Sequence, residues 1–141
     1  MLLLGLLLSP AGQGDCWQRA AHDLAVPQSL LWAIVMVESG GHTQAWHRNH
    51  DGSEDRGLMQ VNSLWWPRLR QAGLQPADLF DACTSLRVGA WILAQAMHAQ
   101  GRRWAAIGAY HGGSPSERRR YIDKVYRTWQ LLRGSVSRPL H

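Results

Sequence analysis

Two carboxylates in unlike settings dominate the chemistry open to this chain of 141 residues. Glu38 closes the segment SLLWAIVMVESGG, and Asp55 lies in the polar run DGSEDRGLMQVNS. On a helix from about Gln28, residues Leu30, Leu31, Ile34 and Val35 form one apolar stripe. The i+4 step from Ile34 lands on Glu38, which turns the carboxylate inward or into a cleft. Gly40 and Gly41 should stop the helix directly afterwards, so Glu38 also feels the partial negative charge of its last carbonyls. Burial, and to a lesser degree that dipole, raise its pKa. A Glu that stays protonated near neutral pH is a general acid. Asp55, among Asp51, Ser53, Glu54 and Arg56, is by contrast solvated and ionised. Cleaving a glycosidic bond needs a proton for the departing oxygen and a negative group near the positive charge developing at the anomeric carbon. A lone Glu ending a helix is ordinarily a surface residue; the paired context argues against that here.

The elements that must hold this pair are mainly helical, with short connections and no internal repeat. A first helix is expected over roughly Cys16 to Leu24, and Pro27 suits the first turn of the helix carrying Glu38. Trp46 to Asp55 is polar, and its Asp51-Gly52 pair signals a tight turn, so a small β-hairpin or ordered loop belongs beside the cleft. Helical character is expected again from about Leu58, breaking at Gly73. A long helix follows from about Cys83 to Gln100, with Leu86, Ala90, Leu93 and Met97 inward. The short RRWAAIGAY helix comes next. The last helix opens on Ser114-Pro115-Ser116-Glu117, with an N-cap, a proline at the first position and a capping-box Glu, and should end near Arg133 and Gly134. Tyr121, Val125, Trp129 and Leu132 form its apolar face. Of the eight Trp, Trp32, Trp91 and Trp129 fall on apolar stripes and read as packing. Trp46, Trp65 and Trp66 flank the polar run, either as platforms for sugar rings or as amphipathic core edge.

Length leaves room for one domain with one core. Residues 1–14, MLLLGLLLSPAGQG, read as a secretory signal peptide: the apolar block is too short to span a bilayer, and small residues follow it. A lipid-facing anchor and a misassigned start are the alternatives. The domain then occupies 15–134, and 135–141 is a loose tail. Export fits the two cysteines, Cys16 and Cys83, as one disulfide, the alternative being two buried free thiols. A net charge of +5, with Arg clustered late in the chain, suits a polyanion or merely a solvated basic helix face. No nucleic-acid motif accompanies it, so a nucleic-acid partner is not expected.

The stretch HRNHDGSEDRGLMQVNSLWW resembles animal c-type lysozymes, including the D-G-S-x-D turn, the G-[IL]-[LM]-Q-[IV]-N-S run and the separation of Glu38 from Asp55. Nearly the whole mature chain resembles the small soluble lytic transglycosylases that accompany type III secretion, conjugation and type IV pilus systems. The resemblance rests on Cys16-Trp17, Glu38-Ser39, GLMQVNS, Cys83 after Leu79-Phe80-Asp81, GAWILA, GAYHGG and RRRYIDKV. It implies a lysozyme-like α+β fold, mainly α, and an enzyme acting on peptidoglycan strands in the periplasm of a Gram-negative bacterium. That enzyme would be a monomer without metal or organic cofactor, with components of such a machine as partners. By position, Glu38 is the acid and then the base. Ser39, Gln60 and Asn62 would line the cleft, Tyr110 would lie near Glu38, and Tyr121 would shape the site.

Two departures qualify that implication. His111 stands where the common A-Y-N-x-G pattern has Asn, and Asp55 is a second carboxylate that many transglycosylases lack. Three further readings therefore stay open. A hydrolytic muramidase would use water in place of the sugar's C6 hydroxyl, a cell-wall-binding assembly protein would keep the fold without catalysis, and a basic nucleic-acid binder would rest on charge alone.

Overall fold

The computed structural model describes residues 10–137, with side chains over 15–134. Helix α1 (Pro10–Leu24) is followed by α2 (Gln28–Ser39). Strands β1 (Trp46–Arg48), β2 (Glu54–Arg56) and β3 (Val61–Asn62) then form an antiparallel sheet in the order β1-β2-β3. Helices α3 (Trp66–Gln71), α4 (Ala82–Gln100), α5 (Trp104–His111) and α6 (Pro115–Ser137) complete the chain, with single 3-10 turns at Ser63–Trp65 and Pro76–Phe80. This is the expected lysozyme-like, mainly helical architecture with a small sheet. Of the leader expected over 1–14, residues 1–9 lie outside the described residues, and 10–14 form the opening of α1.

Helix α2 supplies Leu31, Ile34 and Val35 to the centre, where they meet Met59, Val61, Leu86, Leu93 and Val125, all essentially inaccessible to solvent. The helix stops as expected: Gly40 adopts φ +63 and returns its N–H to the carbonyl of Met36, a left-handed geometry that glycine takes without steric cost. Helix α2 packs on α6, and α1 on α4. The Cys16–Cys83 disulfide ties the α1–α4 pair, with Cα atoms 5.5 Å apart. Cross-linking residues 67 positions apart stabilises the fold by roughly 4 kcal/mol in the chain-entropy account.

The segment between the sheet and α3 departs from expectation. Leu58 does not restart a helix; the chain turns at Gly57 (φ +80) and Gln60 (φ +49) and enters β3. Met59 anchors the turn. Its N–H donates to Ser85 Oγ at 3.0 Å, its carbonyl accepts from Tyr110 Oη at 2.6 Å, and its side chain lies where a Cβ on Gly89 would stand. Tertiary contacts on three sides thus override the local helical pattern.

Helix ends largely follow local chemistry. Asp81 caps α4 by accepting from the N–H and hydroxyl of Thr84, both at 2.9 Å. Ser114 and Glu117 form the capping box of α6, at 2.8 and 3.2 Å. The far end differs: α6 runs past Gly134 to Ser137. A glycine lowers helix propensity by about 1 kcal/mol, but it ends a helix only where the chain turns left-handed. Trp32 and Trp91, expected as packing, are 40% and 42% exposed. Trp32 instead stacks on Trp17, and Trp91 meets Trp65 edge to face. Each helix stripe is wider than its burial, so rings at its margin pair on the surface.

Candidate active site

Glu38 projects from the last turn of α2, part-buried between that helix and α6. Its pKa is pushed up to about 8, first by burial, then by the negative charge of Asp55, and is partly drawn back by the Tyr121 hydroxyl. The acid is therefore protonated at neutral pH. Tyr121 enters from α6, only 4% exposed. Its hydroxyl acts on Glu38, yet Oη makes no hydrogen bond of ordinary length and angle to protein. The hydroxyl faces the acid, and no other protein group engages it. Tyr110, on α5, lies within electrostatic reach of both carboxylates, and burial raises its pKa well above the ordinary tyrosine value. Its proton is committed to the Met59 carbonyl, so it braces the turn beside the acid rather than donating into the cleft.

Asp55 sits at the middle of β2, paired with His47 of β1 and with Asn62 of β3. Because side chains alternate along a strand, Asp55 faces opposite to Glu54 and Arg56. Its two oxygens accept one amide each, Oδ2 from Asn49 at 3.0 Å and Oδ1 from Asn62 at 2.9 Å. These amides have no formal charge, so they fix the carboxylate in place without neutralising it. Ser53 is the common partner: its Oγ accepts from both amides at 3.1 Å and donates to Asp51 at 2.6 Å. The Asp51-Gly52 turn thus extends into a network that ends on Asp55. On the opposite face Glu54 bridges Arg48 and Arg56, each at 3.1 Å, and accepts from Trp46 Nε1.

The remaining expected residues are placed as follows. Ser39 Oγ donates to the Val35 carbonyl and accepts from Gly41 N–H, closing the helix end. Gln60, in its left-handed conformation, sends its amide to the carbonyls of Ala45 and Gly57 at 3.2 and 3.0 Å. Asn62 holds Asp55 and also accepts from Leu64 N–H, capping the Ser63–Trp65 turn. These three side chains order the walls of the site. His111, in the unusual position, stacks on Tyr121 with ring centres 4.5 Å apart and planes 11° from parallel. The ring is exposed overall, but Tyr121 covers one face. That desolvation lowers its pKa, against the opposing charges of Glu117 and Asp55.

Two participants escaped the sequence reading. Asn49 is the second clamp on Asp55, and Ser53 joins both clamps. The signal available for each was position: Asn49 and Ser53 frame the Asp51-Gly52 turn, and the Asn49 N–H closes it onto the Ser53 carbonyl at 2.8 Å. Trp46, 53% exposed, stands out from the sheet with its indole nitrogen on Glu54, on the face away from Asp55. Trp66 is covered by the Arg56 guanidinium at 4.6 Å, so it packs beneath a cation rather than offering its face to a sugar.

A protonated acid on an apolar wall, opposite an amide-held carboxylate on a small sheet, defines a lysozyme-like glycan-cleaving enzyme. A model of the family described as transglycosylase SLT domain matches residues 15–130, and the chain belongs to that family, as a lytic transglycosylase acting on peptidoglycan. It is 36% identical over 139 residues to "Invasion protein IagB" of Salmonella typhimurium (strain SL1344), covering 95% of this chain and 87% of that one. It is 39% identical over 123 residues to "Protein IpgF" of Shigella flexneri, covering 84% and 81%. The fold is similar to the X-ray structure of an inactive mutant of lytic transglycosylase Slt from Pseudomonas aeruginosa. The TM-score is 0.69 at 20% identity, over 93% of this chain but only 25% of that one.

Proposed function

We propose that the chain cleaves the bond between N-acetylmuramic acid and N-acetylglucosamine, closing the muramyl residue to its 1,6-anhydro form. Glu38 donates its proton to the departing glycosidic oxygen as the bond to the anomeric carbon breaks. Asp55 steadies the positive charge that develops there. Glu38, now a carboxylate, takes the proton of the C6 hydroxyl, whose oxygen bonds to the anomeric carbon. The acid thereby returns to its starting state without cofactor. The observation that carries this reading is the placement of Glu38 at the end of the apolar helix α2, facing Tyr121 and within reach of the Asp55 charge, where burial pushes its pKa up to about 8. Tyr121, whose hydroxyl faces Glu38, would orient the acid or the substrate.

A hydrolytic muramidase is the second reading, favoured by one observation: Asp55 is held in place by two amides, one on each oxygen. Digestion of purified sacculi followed by mass analysis of the muropeptides decides between them. Transglycosylase products are lighter by one water, whereas a hydrolase yields only reducing ends. Glu38→Gln should release neither; unchanged cleavage would defeat the assignment of Glu38 as the acid, whereas a wild type that releases no product would leave an assembly protein.

The wider setting is proposed on the same basis. Residues 1–14 act as a leader, 15–134 as the catalytic domain and 135–141 as a tail whose first three residues continue α6, and the product is a periplasmic monomer that opens the wall locally for a secretion or pilus apparatus. A relative named as an invasion protein supports that role. N-terminal sequencing of the exported protein tests the leader, and sedimentation tests the monomer.

A further inference from the structure

We propose that His111 is a positioning residue: its imidazole, laid flat on the Tyr121 ring, keeps the Tyr121 hydroxyl turned to Glu38, so that an exposed side chain at the edge of the site governs the rate of the step at the acid. The inference rests on the reading of Glu38 as that acid.

The His111 and Tyr121 rings stack with centres 4.5 Å apart and planes 11° from parallel. Tyr121 is buried and His111 exposed, so the imidazole is the outer layer of the pair and stands between one face of the phenol and solvent. Spinning the phenol about its own axis leaves Oη in place; only displacing the whole ring takes the hydroxyl from the acid. Displacement forfeits the stacked contact, worth a factor of up to about ten for an aromatic pair. The hydroxyl has no second anchor, because no described group other than the acid engages it. Tyr110 makes the contrast: its hydroxyl is tied to the Met59 carbonyl at 2.6 Å and needs no ring to hold it.

His111 is itself well supported. It is the last residue of α5, and Gly112 and Gly113 follow with φ +78 and +81, left-handed angles that turn the chain at once into α6. Arg118 Nε donates to the Gly113 carbonyl at 3.1 Å, and Glu117 accepts from Ser114 N–H at 2.8 Å. A Cβ on Gly108 would stand 2.9 Å from Ile122, so α5 and α6 meet at close range one turn before His111. The imidazole thus reaches Tyr121 from a pinned helix end, the rigid support that an aligned site needs. Burial lowers its pKa, so at neutral pH the ring lies on the phenol uncharged. Asn, which the A-Y-N-x-G pattern carries at this position, has no ring to stack.

The test measures kcat and KM on soluble peptidoglycan oligomers for the full chain carrying His111→Ala, His111→Phe, Tyr121→Phe, or His111→Ala with Tyr121→Phe. Circular dichroism and a melting curve verify each fold. His111→Ala should lower kcat about tenfold and change KM by less than about twofold. His111→Phe, which restores a flat ring, should recover most of the rate. In the Tyr121→Phe background there is no hydroxyl to align, so His111→Ala should cost less than about twofold there. A rise in KM with kcat held overturns the proposal and would make His111 a direct contact for the glycan. A loss of equal size in both backgrounds, or His111→Phe as slow as His111→Ala, overturns it as well. A reading without catalysis follows the NMR resonance of the Tyr121 ring carbon that bears the hydroxyl, assigned among the three tyrosines by its loss in Tyr121→Phe. In the wild type it should shift as Glu38 ionises near pH 8. The shift should vanish in Glu38→Gln and shrink in His111→Ala; an undiminished shift in His111→Ala overturns the alignment. If Glu38→Gln cleaves as well as the wild type, the acid reading fails, while this titration still decides whether His111 aligns Tyr121.

Discussion

The wall carrying Glu38 and the sheet carrying Asp55 place the same functional group in opposite states. On the wall, apolar neighbours withdraw water and the carboxyl keeps its proton, with a pKa near 8. In the sheet, each Asp55 oxygen accepts an amide hydrogen, and the neighbours are Ser53, Asn49 and Asn62 rather than hydrocarbon. The contrast is self-reinforcing. The negative charge of Asp55 is the second cause of the Glu38 shift, so ionisation on one side favours protonation on the other. In the proposed reaction the two carboxylates divide an acid role and an electrostatic role because only one sits against an apolar helix face.

The most severe way to break the comparison is to remove the proton. Glu38→Gln should lower turnover on sacculi by about 10³-fold or more, measured by muropeptide release, while the protein still co-sediments with the wall. Next in size, Asp55→Asn should slow cleavage by about 10²-fold. It should also move the alkaline limb of the pH–rate profile to lower pH, because the charge that helps raise Glu38 is gone. Burial, the larger cause, remains, so the limb should stay above the ordinary carboxylate range. In the wild type that limb should lie near pH 8, where Glu38 loses its proton.

Stability offers a sharper reading of the same wall. A folded pKa above the unfolded one means that the native state binds an extra proton between about 4.5 and 8. Stability is therefore favoured below that window and falls as pH rises through it. Glu38→Gln removes this dependence, so the melting temperature of the variant should exceed that of the wild type by roughly 10 °C at pH 8.5, with a smaller gap at pH 5. A constant gap would mean that burial does not govern Glu38. On the sheet side, Asn49→Ala leaves Asp55 with Asn62 alone and should cost about 1 kcal/mol by denaturant titration. The loss of activity should be several-fold, smaller than for Asp55→Asn. Smallest in catalytic effect, Gly89→Ala forces a Cβ to within 2.6 Å of the Met59 side chain. It should destabilise by about 1–3 kcal/mol, with the pH profile of the surviving enzyme unmoved.

Much of this arrangement was legible before any coordinates. The i+4 step from Ile34 to Glu38 and the stop at Gly40 located the acid, because helical periodicity and a left-handed glycine are local properties. The capping box at Ser114 and Glu117 was readable for the same reason, as was the Asp51-Gly52 turn. Leu58 was not: its apolar neighbours suggest a helix, but Met59 is held by Ser85, Gly89 and Tyr110, residues 26 to 51 positions away. Asn49 was missed because its value to Asp55 depends on a strand register that a turn motif alone does not specify.

By itself the sequence determined which residues are acidic, which helix face is apolar, where helices begin, and that two cysteines and two carboxylates stand at separations a small exported enzyme could use. Tertiary structure alone decided that Cys16 meets Cys83, that the Tyr121 hydroxyl faces Glu38, and that two amides hold Asp55. The physical reason is range. Propensity, capping and turn chemistry act within a few residues, whereas desolvation and charge coupling depend on which distant segments close around a group.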